Sequence, residues 1–483
     1  MATRNLNCDW QKYYEEHLVS IEEAAKHIEA GDVIFLGQAT QVPYAFLDYL
    51  YEHKEEYHDV SFWYNVMNYP NNMVFDHDIK GHFRLLNIYN LPLDRMGIDA
   101  HTVEVLGAGY DSYTNCMKEY GVNGSALQVA PPDANGWCNV GGYGVCTNAL
   151  TERMPEITKK FGFIDSTGVF PVPTDELEWG NIHVTEFDYI IKNDTEMFEL
   201  PTPQPTEVDE KVASYILPYI NEGDKVQIGF GGLGEAILSN LDKAPGSFEV
   251  FSEVLCDSML PLVESGKITK LRASSPGACT KDTFQWLSDN CSKYDVRLVP
   301  RTTCIEALGV MENQNMVAIN ATFMVDLLGQ ACSEAQGLKP YTGMGGSMAY
   351  IWGTQRVRGG RSFLCLRSTY VDKAGVTQSN VVPWMPAGSI VSMLKNYVMF
   401  IVSEHGIADV YLKTYVDRIK AIIKVAHPDF REWLKEQILT TPLIEECDFD
   451  GVDIMDSTPP AVRQPNTAMP LREYNFGSGT DKD

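Results

Sequence analysis

One order of elements is written twice in this chain, and it leaves little choice of architecture. Ser20 and Glu23 form a capping box that opens a helical pattern, and Gly31 closes it. After the turn Ile28-Glu29-Ala30-Gly31-Asp32 comes the apolar run Val33-Ile34-Phe35-Leu36-Gly37, then a loop and an amphipathic segment from Tyr44 to Leu50. About 191 residues later Ile220-Asn221-Glu222-Gly223-Asp224 leads into Val226-Gln227-Ile228-Gly229 and the helix-spaced Ala236-Ile237-Leu238. Helix, Gly-Asp turn, strand, loop, helix, repeated at long period, predicts an α/β fold of two related halves from an internal duplication. Between the copies Leu200-Pro201-Thr202-Pro203-Gln204-Pro205-Thr206 is a stiff, extended connection. The expected division is 1–200, a linker 201–207, 208–455, and a loosely ordered Pro-, Gly- and charge-rich tail 456–483.

The copies differ at one place. Where the first has Gln38-Ala39-Thr40, the second has Gly229-Phe230-Gly231-Gly232-Leu233-Gly234. Glycines let the backbone approach a ligand, and the helix start that follows offers N–H groups and a partial positive charge to an anion. The next apolar run, Phe248-Glu249-Val250-Phe251-Ser252-Glu253-Val254-Leu255, carries a carboxylate, Glu253, in a strand-like setting. Three readings fit: a tight turn with no ligand, a dinucleotide site of the G-x-G-x-x-G type, or a site for another phosphate-bearing cofactor.

Composition narrows the field. A net charge of −27 argues against a general nucleic-acid or anionic-membrane binder. The 11 cysteines are scattered with no C-x-x-C, and no H-E-x-x-H occurs, so neither a disulfide framework nor a metal site is expected. The polar start and the absence of any apolar run near ~18 residues lead us to expect a cytoplasmic protein without signal peptide or membrane span.

Further on, Met316 to Gln330 is strand material in which Asn320 and Asp326 need partners. Gly343-Met344-Gly345-Gly346-Ser347 is a second glycine loop, and Gly359-Gly360-Arg361-Ser362 a third with a cation behind it. His183 and His427 read as hydrogen-bonded structural histidines. Pro131-Pro132-Asp133-Ala134-Asn135-Gly136 is a turn that no central strand or helix could contain.

Taken in order, these segments resemble the acetyl-CoA hydrolase/transferase branch of the family I CoA-transferases, nearest to butyryl-CoA:acetate and 4-hydroxybutyrate CoA-transferases. The likeness runs from Ile21 to Leu434. It rests on Ala30-Gly31-Asp32, the Pro131 turn, His183 to Tyr189, Gly229 to Leu233, Met316 to Asn320, Gly359 to Ser362, Ser403-Glu404-His405-Gly406 and Ala426 to Phe430. The resemblance implies two CoA-transferase-like α/β/α halves with the active site between them. It implies that Glu253 is the nucleophile and that Gly229, Phe230, Gly231, Gly232 and Leu233 touch coenzyme A. It further implies that Asn320, Gly345, Gly346 and Arg361 line the cofactor or oxyanion site, and that the chain forms a homodimer or homotetramer. Arg361 stands where the family has lysine, Glu235 where it has proline, and Cys256-Asp257-Ser258, Lys395, Tyr397 and Met399 also depart from it. The expected partners are an acyl-CoA and a short-chain carboxylate, with no nucleic acid, membrane or metal. The expected reaction is CoA transfer through a glutamyl-CoA thioester. An NAD-dependent oxidoreductase, an acetyl-CoA hydrolase and a non-catalytic acyl-CoA sensor are the alternatives.

Overall fold

The computed structural model describes residues 4–462 apart from 68, 148–150, 198, 201, 278, 291 and 292. Residue 201 of the expected linker and residues 463–483 of the expected tail lie outside the described residues. The fold is mixed α/β, built on two large sheets.

The first sheet has seven strands: β1 (Val33–Phe35), β2 (Val60–Tyr64), β3 (Phe83–Asn87), β4 (Val103–Val105), β5 (Gly124–Val129), β6 (Lys159–Ile164) and β7 (Tyr189–Lys192). All neighbours are parallel, in the order β4-β3-β2-β1-β5-β6-β7. The second has eight: β8 (Lys225–Ile228), β9 (Phe248–Leu255), β10 (Ile268–Pro276), β11 (Val296–Leu298), β12 (Met316–Ala321), β13 (Arg361–Cys365), β14 (Phe400–Ser403) and β15 (Gly406–Asp409). Their order is β11-β10-β9-β8-β12-β13-β14-β15, parallel except for the final β14–β15 pair. Through seven strands the second sheet repeats the order of the first. Continuous apolar runs such as Val60-Ser61-Phe62-Trp63-Tyr64 are buried throughout because helices cover both faces of a parallel sheet. One apolar core runs through both halves, from Phe35, Trp63 and Leu127 to Val226, Leu271, Ile319 and Phe363.

Two local expectations need correction. Ser20 does cap its helix, accepting the Glu23 N–H at 3.1 Å, but the helix spans only Ile21–Ala25. Beyond it Lys26, His27 and Ile28 donate three residues back, and Gly31, at φ +87°, turns the chain into β1. The stretch from Met316 to Gln330 is two strands: β12 ends at Ala321, and Met324–Asp326 joins a separate small sheet. Thr322 and Phe323 form the break.

The Gly-Asp turns are built alike in both copies. Asp32 accepts the Glu29 N–H and pairs with Lys159 at the start of β6 (2.7 Å). Asp224 accepts the Asn221 N–H and pairs with Arg361 at the start of β13 (2.5 Å). Each pair fastens the N-terminal edge of its sheet.

Candidate active site

In a parallel sheet the loops at the carboxyl ends of the strands form the ligand-binding edge. At that edge of the second sheet lies a cavity of about 210 Å³. β8 supplies Gln227 and Ile228, and the loop after it Gly229 and Phe230. β9 supplies Glu253 and Val254, β12 Asn320 and Ala321, and the break after β12 Thr322 and Phe323. The wall is completed by Ser333, residues 342–345 and Ser347, and by one residue of the first half, Tyr89, two positions past β3.

Glu253 opens onto this cavity and is only partly shielded from solvent there, while the rest of its surroundings are protein. That desolvation raises its carboxyl above the ordinary glutamate value of 4.5; a backbone hydrogen bond from Gly346 opposes the rise. The Gly346 N–H lies 2.9 Å from Oε2 and sits at the start of the helix Ser347–Thr354, so the helix end adds its partial positive charge. Tyr89 is half-buried against Gly345, and both desolvation and the Glu253 charge push its hydroxyl above the ordinary tyrosine value. The halves touch directly here. A Cβ on Gly343 would lie 2.2 Å from the carbonyl oxygen of Ile88, so only glycine allows this backbone approach. The Arg95 guanidinium donates to the Tyr341 carbonyl (2.9 Å) and lies 4.0 Å from that residue's ring centroid, holding the same loop against the first half.

Asn320 is buried and bonded reciprocally to Gln227: its Nδ2 donates to Gln227 Oε1 (2.9 Å) and its Oδ1 accepts from Gln227 Nε2 (3.3 Å). Pinned this way, Asn320 presents its amide to the cavity in one orientation.

The residues expected from the sequence therefore separate. Glu253, Gly229, Phe230, Asn320 and Gly345 share the cavity wall, and Gly346 donates to Glu253. Gly231, at φ +125°, ends the loop, and Gly232 begins the helix Gly232–Leu241 against the Asp209 carboxylate. Leu233 lines a second, larger cleft of about 810 Å³, which shares Ala321, Thr322 and Phe323 with the first. Arg361 is not at the site. It opens β13 at the opposite edge of the sheet, buried and paired with Asp224, and lines neither cavity. His183 caps the turn Val184–Glu186 and meets Thr185 and Asn135, and His427 caps the helix Pro428–Ile438; both are structural. Asp326 accepts three groups of its own turn, from Leu328 and Gln330.

Sequence reading missed Tyr89, Gln227 and Phe323 as parts of this wall. Gln227 is a polar residue inside an apolar strand, which is a signal, since such a group needs a partner. Tyr89 carries none, because its place depends on how the halves meet.

Residues 280–438 match the acetyl-CoA hydrolase/transferase C-terminal domain. The likeness extends beyond that segment, to curated CoA-transferases along most of the chain. Among its curated relatives is a 4-hydroxybutyrate coenzyme A transferase of Clostridium kluyveri, 28% identical over 89% of this chain and 99% of that one. Another is a butyryl-CoA:acetate CoA-transferase of Anaerostipes caccae, 27% identical over 88% of this chain and 96% of its own length. Of solved structures, RipA from Yersinia pestis superposes with a TM-score of 0.79 over 90% of this chain and all of its own, at 21% identity.

Proposed function

We propose that this enzyme moves CoA between a short-chain acyl-CoA, of the butyryl or 4-hydroxybutyryl kind, and acetate, and that Glu253 carries the transfer. The observation that supports it most is Glu253 itself. It is a carboxylate held at a cavity wall by a helix-start N–H, at the edge where two halves meet.

The steps balance without a proton. A Glu253 oxygen attacks the thioester carbonyl, the C–S bond breaks, and CoA leaves as a thiolate from a mixed anhydride. The thiolate attacks the Glu253 carbonyl carbon, the anhydride C–O bond breaks, and the first acid departs as a carboxylate. Glu253 is then a thioester of CoA. The acceptor carboxylate attacks that thioester and regenerates an anhydride and the thiolate. The thiolate then takes the new acyl group and frees Glu253. Both nucleophiles are anions, so covalent catalysis here needs no general base. When the tetrahedral centre forms on Glu253, the Gly346 N–H is already aimed at its oxygen; preorganised donors of this sort contribute ~3–4 kcal/mol. The free N–H of the Asn320 amide serves the thioester oxygen in the same way. Gly229 to Leu233 run from the small cavity to the larger cleft, as a wall for the pantetheine arm. The matching strand orders support a duplicated unit with copies at 1–200 and 208–455, of which only the second holds the nucleophile.

Intact-mass measurement after incubation with butyryl-CoA tests the reading. A CoA adduct on Glu253, lost on adding acetate and absent in Glu253→Gln, is the expected result. Normal turnover by Glu253→Ala refutes it. Release of free CoA at full rate without acceptor would make the enzyme a hydrolase instead.

A further inference from the structure

A carboxylate has room for several donors, yet among the described residues Glu253 accepts from the Gly346 N–H alone. Three phenols lie close enough to feel its charge: Tyr89 and Tyr110 from the first half, and Tyr350 from the second. Of these, Tyr350 is the one whose hydroxyl is fully buried with no hydrogen-bond partner among the described residues. It sits one turn into the helix Ser347–Thr354, where its N–H donates to the Gly346 carbonyl at 3.1 Å. A Cβ built on Gly346 would lie 2.8 Å from Glu253 Oε2 and 3.4 Å from Tyr350 Cε2. The carboxylate and the hydroxyl-bearing edge of the ring therefore flank the same point of backbone.

A buried phenol without a partner has given up its water for nothing, so phenylalanine would fill the same space at less cost to the fold. The oxygen therefore calls for a task outside packing. Burial, and after it the charges of Cys304, Glu253 and Cys146, hold the hydroxyl well above the ordinary tyrosine value, so it keeps its proton and can only donate. The two cysteines are weak partners. Both are buried and pushed upward by that burial, Cys146 to about 12, and the Cys304 thiol already donates to the Arg272 carbonyl at 3.8 Å. Glu253 is the carboxylate among the groups around the phenol. No hydrogen bond joins the two here, and catalytic contacts of this kind tighten as the reaction proceeds. A carboxylate shares its charge over two oxygens. A tetrahedral centre at the same carbon collects charge on one, which draws a donor more strongly.

We propose that the Tyr350 hydroxyl is a second donor to the Glu253 oxygen, beside the Gly346 N–H, engaged each time the Glu253 carbonyl carbon becomes tetrahedral. As the thiolate forms its C–S bond, the carbonyl electron pair moves onto that oxygen; it returns as the anhydride C–O bond breaks, and the phenol keeps its proton throughout. This rests on the reading of Glu253 as the transferring group, and the experiment separates the two. Tyr350→Phe removes one oxygen and leaves the ring. Intact mass after butyryl-CoA follows the CoA adduct on Glu253, rapid mixing with acetate follows its discharge, and thermal unfolding is recorded beside them. The adduct forms in both enzymes. In the variant acetate discharges it about tenfold or more slowly, the loss expected of a hydrogen bond to a charged group, and kcat falls with it. The Tm of the variant equals or exceeds that of the wild type, which a merely structural hydroxyl would not allow. Discharge at the wild-type rate overturns the assignment and leaves the Glu253 reading standing. A Tm that falls together with kcat, or a variant that does not fold, makes the hydroxyl structural and overturns it too. A wild type that forms no adduct overturns both.

Discussion

Adding one methyl group at Gly346 tests the catalytic arrangement without touching the nucleophile. The backbone there, φ −87° and ψ 0°, is open to alanine, so Gly346→Ala introduces no backbone strain. Space is the difficulty. The new Cβ would lie 2.8 Å from Glu253 Oε2 and 2.6 Å from Ile305 Cγ2, where ordinary contacts begin near 3.4 Å. Separating the carboxylate from the methyl by ~0.6 Å stretches the 2.9 Å bond from the Gly346 N–H beyond the usual ~3.2 Å limit. A hydrogen bond to a charged group contributes ~1.5–3 kcal/mol, or roughly ten- to 150-fold in rate. The clash with Ile305 is overpacking and costs ~1–3 kcal/mol of stability. Steady-state kcat with butyryl-CoA and acetate, beside thermal unfolding, reads the two effects apart. In an Ile305→Ala background, which removes the Cγ2 that the methyl meets, adding Gly346→Ala costs little further Tm while kcat still falls. A soluble Gly346→Ala enzyme with kcat within about twofold of the wild type would refute the argument.

Three other outcomes follow from the structure. Because burial raises the Glu253 carboxyl and catalysis needs it ionised, the acidic limb of kcat/KM has its midpoint above pH 4.5, and Gly346→Ala moves it higher; a midpoint at or below 4.5 contradicts this. Removing one partner of the buried Arg361–Asp224 pair, as in Arg361→Met, lowers stability by ~3–5 kcal/mol while leaving the KM for acyl-CoA where it was; a raised KM with an unchanged Tm would return Arg361 to the site. Glu152 is fully buried, and burial lifts its carboxyl to about 7, with Lys160 and the Ser125 hydroxyl offsetting part of the rise. The folded state then binds the proton more tightly than the unfolded one, so stability falls as pH rises from 4.5 to about 7, by roughly 3 kcal/mol; Glu152→Gln should match the wild type near pH 5 and exceed its Tm at pH 8, as unfolding scans at both values would show.

The sheets were readable because buried parallel strands appear as short apolar runs, and Val33–Phe35, Lys225–Ile228 and Phe248–Leu255 stand where such runs do. The placing of Gly229 and Glu253 at one cavity was readable for a related reason: Gly229 follows its run and Glu253 lies two residues before the end of its own, both toward the carboxyl edge. The same rule, applied strictly, removes Arg361 from the site: it opens its run and so lies at the edge away from the cavity, where the first half has Lys159. Chain direction held that information, and the glycines beside Arg361 drew attention from it. Tyr89 and the meeting of Gly343 with Ile88 could not be read, because period and composition describe elements and not how two halves dock. The break at Thr322 and Phe323 escaped notice because an apolar stretch hides a strand that leaves its sheet.

Tyr89 reaches the cavity from a sheet that provides no attacking group. On the reading proposed for Glu253, the two tasks would sit on separate stretches of chain: bond making on one, the roof over the acyl tail on the other. Changes between Phe83 and Asp99 can reshape what fits beneath that roof while the reacting carboxylate and its donor stay in register. A library confined to those residues is the direct route to new acyl preferences.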